Sequence, residues 1–558
     1  MKKFNLEYIP GNRPTPMLAL YNEKNVDVFN DIKSNANIPI NISFNQTYVD
    51  NFNHAWNHGA YIIYDNELNV IAFTYSEISN LFFILRALNK KLVLEFDSTE
   101  EEIKKELKDW VNEVSFAFKK KTNNVINILD SSTKKIIGLN SDSISIYLCG
   151  PTVYNHVHIG NIRPIITYDV LHRYLKYKKV NVKFVHNITD IDDKIIIKSA
   201  EMNMSEKELS EMFFEHYKTI LKQLNILPVE MPKVSENMEP MIEMIQELIQ
   251  KEYAYEVNGN VYFSIKDLKT YGTVSSMEID KLNDGERVGI DLNKMNKHDF
   301  VLWKNTTDGI KWESPMGAGR PGWHTECCVL INKYIGKQVD IHGGGIDLRF
   351  PHHENENIQN VARYDLPLAK IWMHTGHLMI EEQKMSKSLN NFVLAKDLIN
   401  KSDSNSVRWM FYQTRYEKPI NYVSKILDES QKKINQIERD INKAYSYLIL
   451  NNAYSKIEVI SEEILDLLND NLNLPNIVTI VYDKIKLFSS NISSKNFKEL
   501  NKVYNDVKNT LDILGIFYPN VHTNENIELI KKWNQYLIDK KFKEADEIRE
   551  RLIIMKLI

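Results

Sequence analysis

The sequence predicts an α/β protein of several domains, built around a parallel β-sheet. Between about residues 125 and 400, the strand-like "ISIYLC", the helical "RPIITYDVLHRYLKYK" and the strand-like "VNVKFVHNI" follow one another. This succession is typical of a parallel sheet whose ligands bind at the carboxyl ends of its strands. Beyond about residue 420 the chain is rich in charge, and apolar residues recur at helical spacing.

Length and composition are those of a soluble protein with more than one domain. A chain of 558 residues exceeds what one hydrophobic core organises. We find no apolar run of the roughly 18 residues that a membrane span needs, and the first residues lack the apolar segment of a signal peptide. Three cysteines are too few for a disulfide framework. We therefore expect a cytoplasmic protein that makes no membrane contact.

Three domains are expected from the pattern. Residues 1–123 read as a small α/β unit, in which "AYIIYDNELNVIAFTY" predicts a hairpin and "KLVLEF" a strand, and nothing indicates its role. Residues 124–420 form the parallel-sheet domain, interrupted by an insertion at about 235–320. Residues 421–558 are helical. One face of the first predicted helix there carries Ile426, Ser430, Ile434, Ile437, Ile441, Ala444 and Leu448.

A set of metal-ligating residue types is spread over three segments. Cys149 ends the first strand, beside the turn "GPTVYNHVHIGN"; "GRPGWHTECC" contains Cys327, and "DIHGGGIDLRFPHHENE" contains His352 and Glu356. If "PHHENE" opens a helix, the last two residues project from one face. Two thiolates, an imidazole and a carboxylate make a complete tetrahedral zinc set. A structural zinc or inert buried thiols remain alternatives, but the adjacent turn favours a functional metal.

A second signal is the short basic segment "KMSKS", Lys384–Ser388. Lysines in a loop are a source of positive charge for phosphates, although a lysine run alone is most often a solvated face. Its pairing with an upstream His-x-Gly turn in an α/β domain favours a nucleotide site.

Together, "PTVYNHVHIGN" and "KMSKS" resemble the signature motifs of class I aminoacyl-tRNA synthetases. "NITDIDDKII", "GRPGWHTEC", "IHGGGIDLRFPHHENE" and "EEQKMSKSLNNF" further resemble the cysteinyl-tRNA synthetase family, and the resemblance spans about residues 125–550. Asn161 stands where the first motif usually ends in a second histidine. Residues 1–120 have no counterpart that we identify.

The resemblance implies a Rossmann-like catalytic domain that ligates L-cysteine to tRNA(Cys) through cysteinyl-adenylate. It implies one Zn²⁺ per chain that binds the substrate thiolate, Mg²⁺ with ATP, helices after 420 that contact tRNA, and a monomer. The implied residues are Cys149, Cys327, His352 and Glu356 for zinc; His158, Gly160, Asn161, Lys384 and Lys387 for ATP; Thr152, Trp323, His342 and Asp347 for the substrate; and His158 and Lys387 for catalysis.

Two other functions fit part of the sequence. A small-molecule cysteine ligase of the same family would share the zinc pocket, but it would not need the long helical region beyond residue 420. An inactive RNA-binding relative would not need an intact "KMSKS" and a complete zinc set.

Overall fold

The structure is a computed structural model of the chain. It describes residues 125–558 except 266–269, 277–292, 381–382 and 385–391, together with the backbone of five strands before residue 125. Two compact units are distinguished: Met1–Ile128 with Lys135–Ser141, and Leu129–Lys134 with Asp142–Ile558. The domain boundaries expected near residues 123 and 420 stay a prediction.

The first unit contains a five-stranded sheet in the order β2-β5-β1-β3-β4, in which every pairing is antiparallel. Its strands are β1 (Lys2–Ile9), β2 (Asn41–Ile42), β3 (Ala60–Asp65), β4 (Val70–Ala72) and β5 (Leu92–Phe96). The pairing of β3 with β4 confirms the predicted hairpin, and β5 confirms the predicted strand. The helical part of the α/β unit expected over residues 1–123 lies outside the described residues.

Two short strands, β6 (Ile126–Asp130) and β7 (Lys135–Leu139), lead to the central sheet. That sheet has the order β15-β14-β8-β9, and all three pairings are parallel, which confirms the predicted sheet. Its strands are β8 (Ser143–Leu148), β9 (Asn181–His186), β14 (Val339–Gly345) and β15 (Ala369–Thr375). Their β-branched and aromatic residues form the buried centre of the domain, as in strands covered on both faces.

Helix α1 (Ile159–Tyr177) crosses from β8 to β9 and is almost entirely buried. Between β9 and the next part of the central sheet lie α2 (Asp193–Met202), α3 (Glu206–Gln223), α4 (Met238–Gln250) and a four-stranded antiparallel sheet. The strands of that sheet are β10 (Ala254–Val257), β11 (Asn260–Phe263), β12 (Phe300–Asn305) and β13 (Gly319–Pro321). This antiparallel sheet interrupts the α/β alternation within the region expected to be an insertion.

The remaining elements around the central sheet position the candidate site. Helix α5 (Trp323–Tyr334) precedes β14, and α6 (Glu354–Tyr364) precedes β15. A three-stranded sheet follows, with the order β17-β16-β18, made of β16 (Leu378–Ile380), β17 (Gln383–Lys384) and β18 (Ile420–Tyr422). Between β17 and β18 lie α7 (Ala395–Lys401) and α8 (Ser404–Tyr412).

From residue 424 onward every described element is a helix, as predicted. These are α9 (Ser424–Leu450), α10 (Glu462–Asn469), α11 (Leu474–Ser493), α12 (Phe497–Ile513), α13 (Asn524–Ile538) and α14 (Phe542–Ile554). The predicted face of α9 is its buried face, apart from the half-buried Ile426. Within the described residues, none of the helices has the length and apolar character required to cross a membrane.

Candidate metal and nucleotide site

The candidate site lies at the carboxyl end of the parallel sheet. Cys149 directly follows β8, and its backbone N–H donates to Gly343 O on the neighbouring β14 at 3.1 Å. Gly150 is needed at the next position, because a Cβ there would lie 1.5 Å from Asn187 O at the end of β9. Its N–H instead donates to Asn187 Oδ1 at 2.8 Å. Two adjacent strand ends are thus held close enough to share one site.

Two helices bring the other predicted ligands to Cys149. Cys327 lies on α5, and Glu356 lies in the first turn of α6. His352 precedes the regular part of α6, in a wider turn over Arg349–His353, yet its Nε2 still lies 2.7 Å from Glu356 Oε1 four residues later. The four candidate ligand atoms all lie within 4.8 Å of one another.

The two thiols of this cluster face each other without forming a disulfide bond. The sulfurs of Cys149 and Cys327 are 3.7 Å apart, and both cysteines are free. Cys149 Sγ is 3.6 Å from Glu356 Oε1, and Cys327 Sγ is 3.8 Å from His352 Nε2. Cys328, although adjacent in sequence, is buried outside both possible ligand sets.

The electrostatics of the cluster follow from burial and pairing. Burial raises the pKa of Cys149 well above its usual range. Burial would also raise the pKa of Cys327, but contacts with Cys149 and His352 outweigh it and lower this pKa to about 7. Burial opposes a charged His352, yet the Glu356 carboxylate raises the His352 pKa to about 10. A metal ion entering the cluster would therefore displace protons, which makes its affinity depend on pH.

A second possible ligand set shares Cys149 and Glu356 but uses His342 and His353. His342 is fully buried; its Nδ1 lies 3.0 Å from Tyr147 O and its Nε2 lies 2.6 Å from Glu356 Oε2. Both ring nitrogens are thus used in contacts, so His342 is suited to orient Glu356 rather than to bind a metal. Glu356 keeps its other oxygen, Oε1, for the first set.

His353 is also placed by its neighbours. Its Nε2 lies 3.3 Å from Cys149 Sγ, and its Nδ1 lies 2.7 Å from His374 Nε2. His374 Nδ1 in turn contacts the Ser131 hydroxyl at 2.5 Å. Burial keeps the pKa of His353 well below its usual value and lowers that of His374 to about 3, so both imidazoles are neutral. This chain of contacts was not predicted from the sequence, because nothing in the spacing of these residues links them.

The predicted ATP turn forms the amino-terminal cap of α1. Gly160 N donates to His158 Nδ1 at 3.1 Å, and His158 N donates to Asn161 Oδ1 at 3.0 Å. The two side chains therefore form a reciprocal capping box. The amide side chain of Asn161 therefore helps to cap α1, because its Oδ1 accepts the backbone N–H of His158.

The predicted substrate residues surround the same region. Trp323 is 39% exposed and stacks on His352, with ring centroids 4.0 Å apart. Asp347 lies in the turn after β14; burial lowers the pKa of His158, and the Asp347 charge opposes this. The backbone of Thr152 forms a parallel bridge with that of Thr189 near the strand ends.

The lysines predicted to bind ATP cannot be placed in the same way. The side chain of Lys384, and Lys387 as a whole, lie outside the described residues.

The chain is similar to known proteins over most of its length. A family model described as "tRNA synthetases class I (C) catalytic domain" matches residues 135–432. The chain is similar to a cysteine–tRNA ligase of Malacoplasma penetrans (strain HF-2), 48% identical over 433 residues that cover 77% of this chain and 98% of the relative. A cysteine–tRNA ligase of Ureaplasma parvum serovar 3 is 46% identical over 431 residues, covering 77% and 99%. A solved Mycobacterium tuberculosis methionyl-tRNA synthetase in complex with methionyl-adenylate is 13% identical, with TM-score 0.49, covering 67% of this chain and 89% of that one.

Proposed function

The chain belongs to the cysteine–tRNA ligase family of class I aminoacyl-tRNA synthetases, and on this premise we propose how its residues act. The reaction is the ATP-dependent ligation of L-cysteine to tRNA(Cys). The observation that carries the residue assignment is the convergence of four ligand atoms within 4.8 Å at the carboxyl end of the sheet. One of the four residues, Cys149, lies on the segment that leads from β8 directly into the amino-terminal cap of α1.

We assign Cys149, Cys327, His352 and Glu356 as the ligands of one zinc ion. Two sulfurs, one nitrogen and one oxygen match the donors that zinc takes in proteins. Zinc, when bound, supplies a soft Lewis acid that bonds a substrate thiolate far better than a serine hydroxyl. His342 keeps Glu356 in the orientation that this site needs.

The nucleotide would lie against the start of α1. His158, Gly160 and Asn161 shape a helix amino terminus, where the positive end of the helix dipole favours a phosphate. Lys384 and Lys387 add positive charge, with Mg²⁺ on the phosphates. The carboxylate of cysteine is ionised at neutral pH, so attack on ATP needs positioning and charge stabilisation more than a base.

The amino acid would lie between this turn and the metal cluster. Asp347 provides a carboxylate for the substrate ammonium, and its charge acts on His158. Trp323 supplies an aromatic wall that is held flat by stacking on His352. Thr152 completes the predicted substrate side of the site, and His342, whose ring nitrogens face Tyr147 and Glu356, acts on it through Glu356. The helices after residue 420 would contact tRNA, and we propose a cytoplasmic monomer.

The test is ATP-dependent charging of total tRNA with labelled cysteine. We expect charging of one tRNA species, its loss in Cys149→Ala, and its retention in the matched control Cys328→Ala, which removes a buried thiol outside the ligand set. The proposal is wrong if the protein transfers cysteine to a small amine without tRNA. It is also wrong if Cys149→Ala charges tRNA as well as the control does.

A further inference from the structure

His186 is a buried histidine that the proposed reaction does not use. It ends β9 and is 2% exposed, and its register partner on β8 is Leu148, the residue directly before Cys149. Its Nδ1 lies 3.0 Å from Leu148 O, and its Nε2 lies 2.8 Å from the hydroxyl of Tyr217 on α3. Its backbone N–H donates to Glu230 O at 2.8 Å. The ring therefore connects α3 to the end of the strand that leads into Cys149.

The two ring contacts fix the tautomer of His186. Burial lowers the pKa of His186 to about 4, with the bond to Leu148 opposing, so the ring is neutral at pH 7. A carbonyl oxygen only accepts, so Nδ1 carries the hydrogen and donates to Leu148 O. Nε2 is then an acceptor, and the Tyr217 hydroxyl donates to it. Tyr217 thus holds the tautomer in which His186 is a donor to the strand end.

The peptide groups on both sides of Cys149 are held by side chains from the end of β9. Leu148 O accepts from His186, and Gly150 N donates to Oδ1 of Asn187 at 2.8 Å. Because peptide groups are planar, holding the two groups that flank a residue sets its φ and ψ, and with them the direction of its Cβ. These contacts therefore determine where Cys149 Sγ points.

We propose that His186 is a positioning residue for the metal site: by donating to Leu148 O, it holds the backbone of Cys149 in the orientation that directs the thiolate to the other three ligands. This role rests on the proposed function of Cys149 as a zinc ligand. His186 acts through the neighbouring carbonyl rather than through a ligand atom. The distances that depend on it are those from Cys149 Sγ to Cys327 Sγ, 3.7 Å, and to Glu356 Oε1, 3.6 Å.

Two substitutions of His186 separate its two ring contacts. His186→Asn keeps a donor near the Nδ1 position, facing Leu148 O, and loses the contact with Tyr217. His186→Gln places its amide near the Nε2 position, so it keeps a contact with Tyr217 and loses the donor to Leu148 O. Removing a group that orients a metal ligand lowers affinity by about 10- to 100-fold. In competition with a chromophoric chelator, zinc affinity should therefore fall about 10-fold in His186→Gln and less than about threefold in His186→Asn.

The visible spectrum of the Co²⁺-substituted protein reports the ligand geometry directly. At saturating Co²⁺, His186→Gln should still bind one ion per chain but with altered ligand-field bands, whereas His186→Asn should keep the spectrum of the unmodified protein. His522→Gln is the matched control. It replaces another buried histidine, whose pKa burial also lowers to about 4 and whose Nε2 lies 2.9 Å from the Ser446 hydroxyl in the helical region. It should leave zinc affinity and the Co²⁺ spectrum unchanged, even where it lowers the Tm.

Tyr217→Phe keeps the test decisive if His186→Gln does not fold. It removes only a hydroxyl, so Nε2 of His186 loses its donor and the ring is no longer held in one tautomer. Zinc affinity should fall about threefold, a part of what one hydrogen bond contributes. The same change in a His186→Asn background should have no further effect, because that variant already lacks the contact. An unchanged affinity in Tyr217→Phe alone would refute the positioning role.

The remaining outcomes distinguish the role of Cys149 from that of His186. If Cys149→Ala binds zinc as the unmodified protein does, the proposed function of Cys149 as a ligand is wrong. If Cys149→Ala loses zinc but His186→Gln keeps the unmodified affinity and Co²⁺ spectrum, only the positioning role is refuted. It is also refuted if His186→Asn loses as much affinity as His186→Gln, or if His522→Gln reproduces the loss.

Discussion

Replacement of His342 separates a residue that orients a ligand from one that binds the metal. His342→Asn keeps a donor near the Nδ1 position, facing Tyr147 O, and removes the 2.6 Å contact with Glu356. His342→Gln instead places a donor near the Nε2 position, so it preserves that contact. The pair of variants therefore isolates one hydrogen bond inside the cluster.

The contact between His342 and Glu356 sets the expected loss of zinc affinity. A hydrogen bond to an ionised carboxylate contributes about 1.5–3 kcal/mol, and Glu356 is fully buried with a pKa that His352 and His342 hold well below its usual range against the effect of burial. At about 1.4 kcal/mol per tenfold, zinc affinity in His342→Asn should fall by about 10- to 100-fold. One zinc per chain should still bind at saturation, and His342→Gln should recover most of the loss.

The assay is competition with a chromophoric chelator at fixed pH, with metal content measured after dialysis. His352→Ala is the reference for loss of a ligand and should leave the protein substoichiometric in zinc. Cys328→Ala should keep the metal. If His342→Asn loses zinc completely while His352→Ala keeps it, His342 is a ligand and the second set binds the metal.

Three further predictions concern other parts of the chain. Lys387→Ala should lower the adenylation rate by orders of magnitude while cysteine affinity is kept, since its charge acts mainly in the transition state; pyrophosphate exchange and equilibrium binding measure the two effects. Arg408→Met should lower the free energy of unfolding by about 3–5 kcal/mol in urea titrations at pH 7, because Asp169 would keep a buried charge with one partner fewer. Burial raises the pKa of Asp169, but Arg408 and Arg173 outweigh it and lower this pKa, so the contribution is present above the unfolded value and should fade below about pH 4. Deletion of residues 1–122 should leave pyrophosphate exchange intact, because every proposed site residue lies at or beyond Cys149; a folded truncation without exchange would contradict this.

The sequence was sufficient to predict the parallel sheet and the grouping of Cys149, Cys327, His352 and Glu356, whereas their binding of a metal stays a prediction. Strands buried on both faces are rich in β-branched residues, and Cys149 stands at the end of one of them. His352 and Glu356 are four residues apart, a spacing that survives even though the regular helix begins only at Glu354. Helical spacing therefore explains the pairing of His352 with Glu356, whereas Cys149 and Cys327 were added to the set by residue type.

The contacts around that set could not be predicted in the same way. His342 lies on β14 and contacts Glu356 on α6, and His353, just before α6, contacts His374 on β15. Neither pair has the short, regular spacing in sequence that would indicate a contact. The guanidinium of Arg163 donates to the backbone carbonyls of Gly376 and Lys418, more than 200 positions away, and since every residue has a carbonyl, the sequence does not mark these partners. These contacts depend on tertiary packing, which a single sequence does not encode in any local pattern.

The role of Asn161 is an intermediate case. The sequence shows a departure from the usual motif, and its consequence becomes clear only from the reciprocal hydrogen bonds with His158. An amide at the third helical position satisfies the backbone N–H of the cap, as a capping box requires. Asparagine at this position therefore stabilises the turn at the start of α1.

The central claim is that a zinc ion selects cysteine by its thiolate, and one ratio tests it most directly. We would measure kcat/KM for pyrophosphate exchange with cysteine and with serine, on protein with its zinc bound. An apolar pocket separates such a pair by only about 10- to 200-fold, so we predict a preference for cysteine above about 1000-fold, already at the adenylation step. A ratio of about 200 or less, or an unchanged ratio after zinc is removed, would contradict the claim.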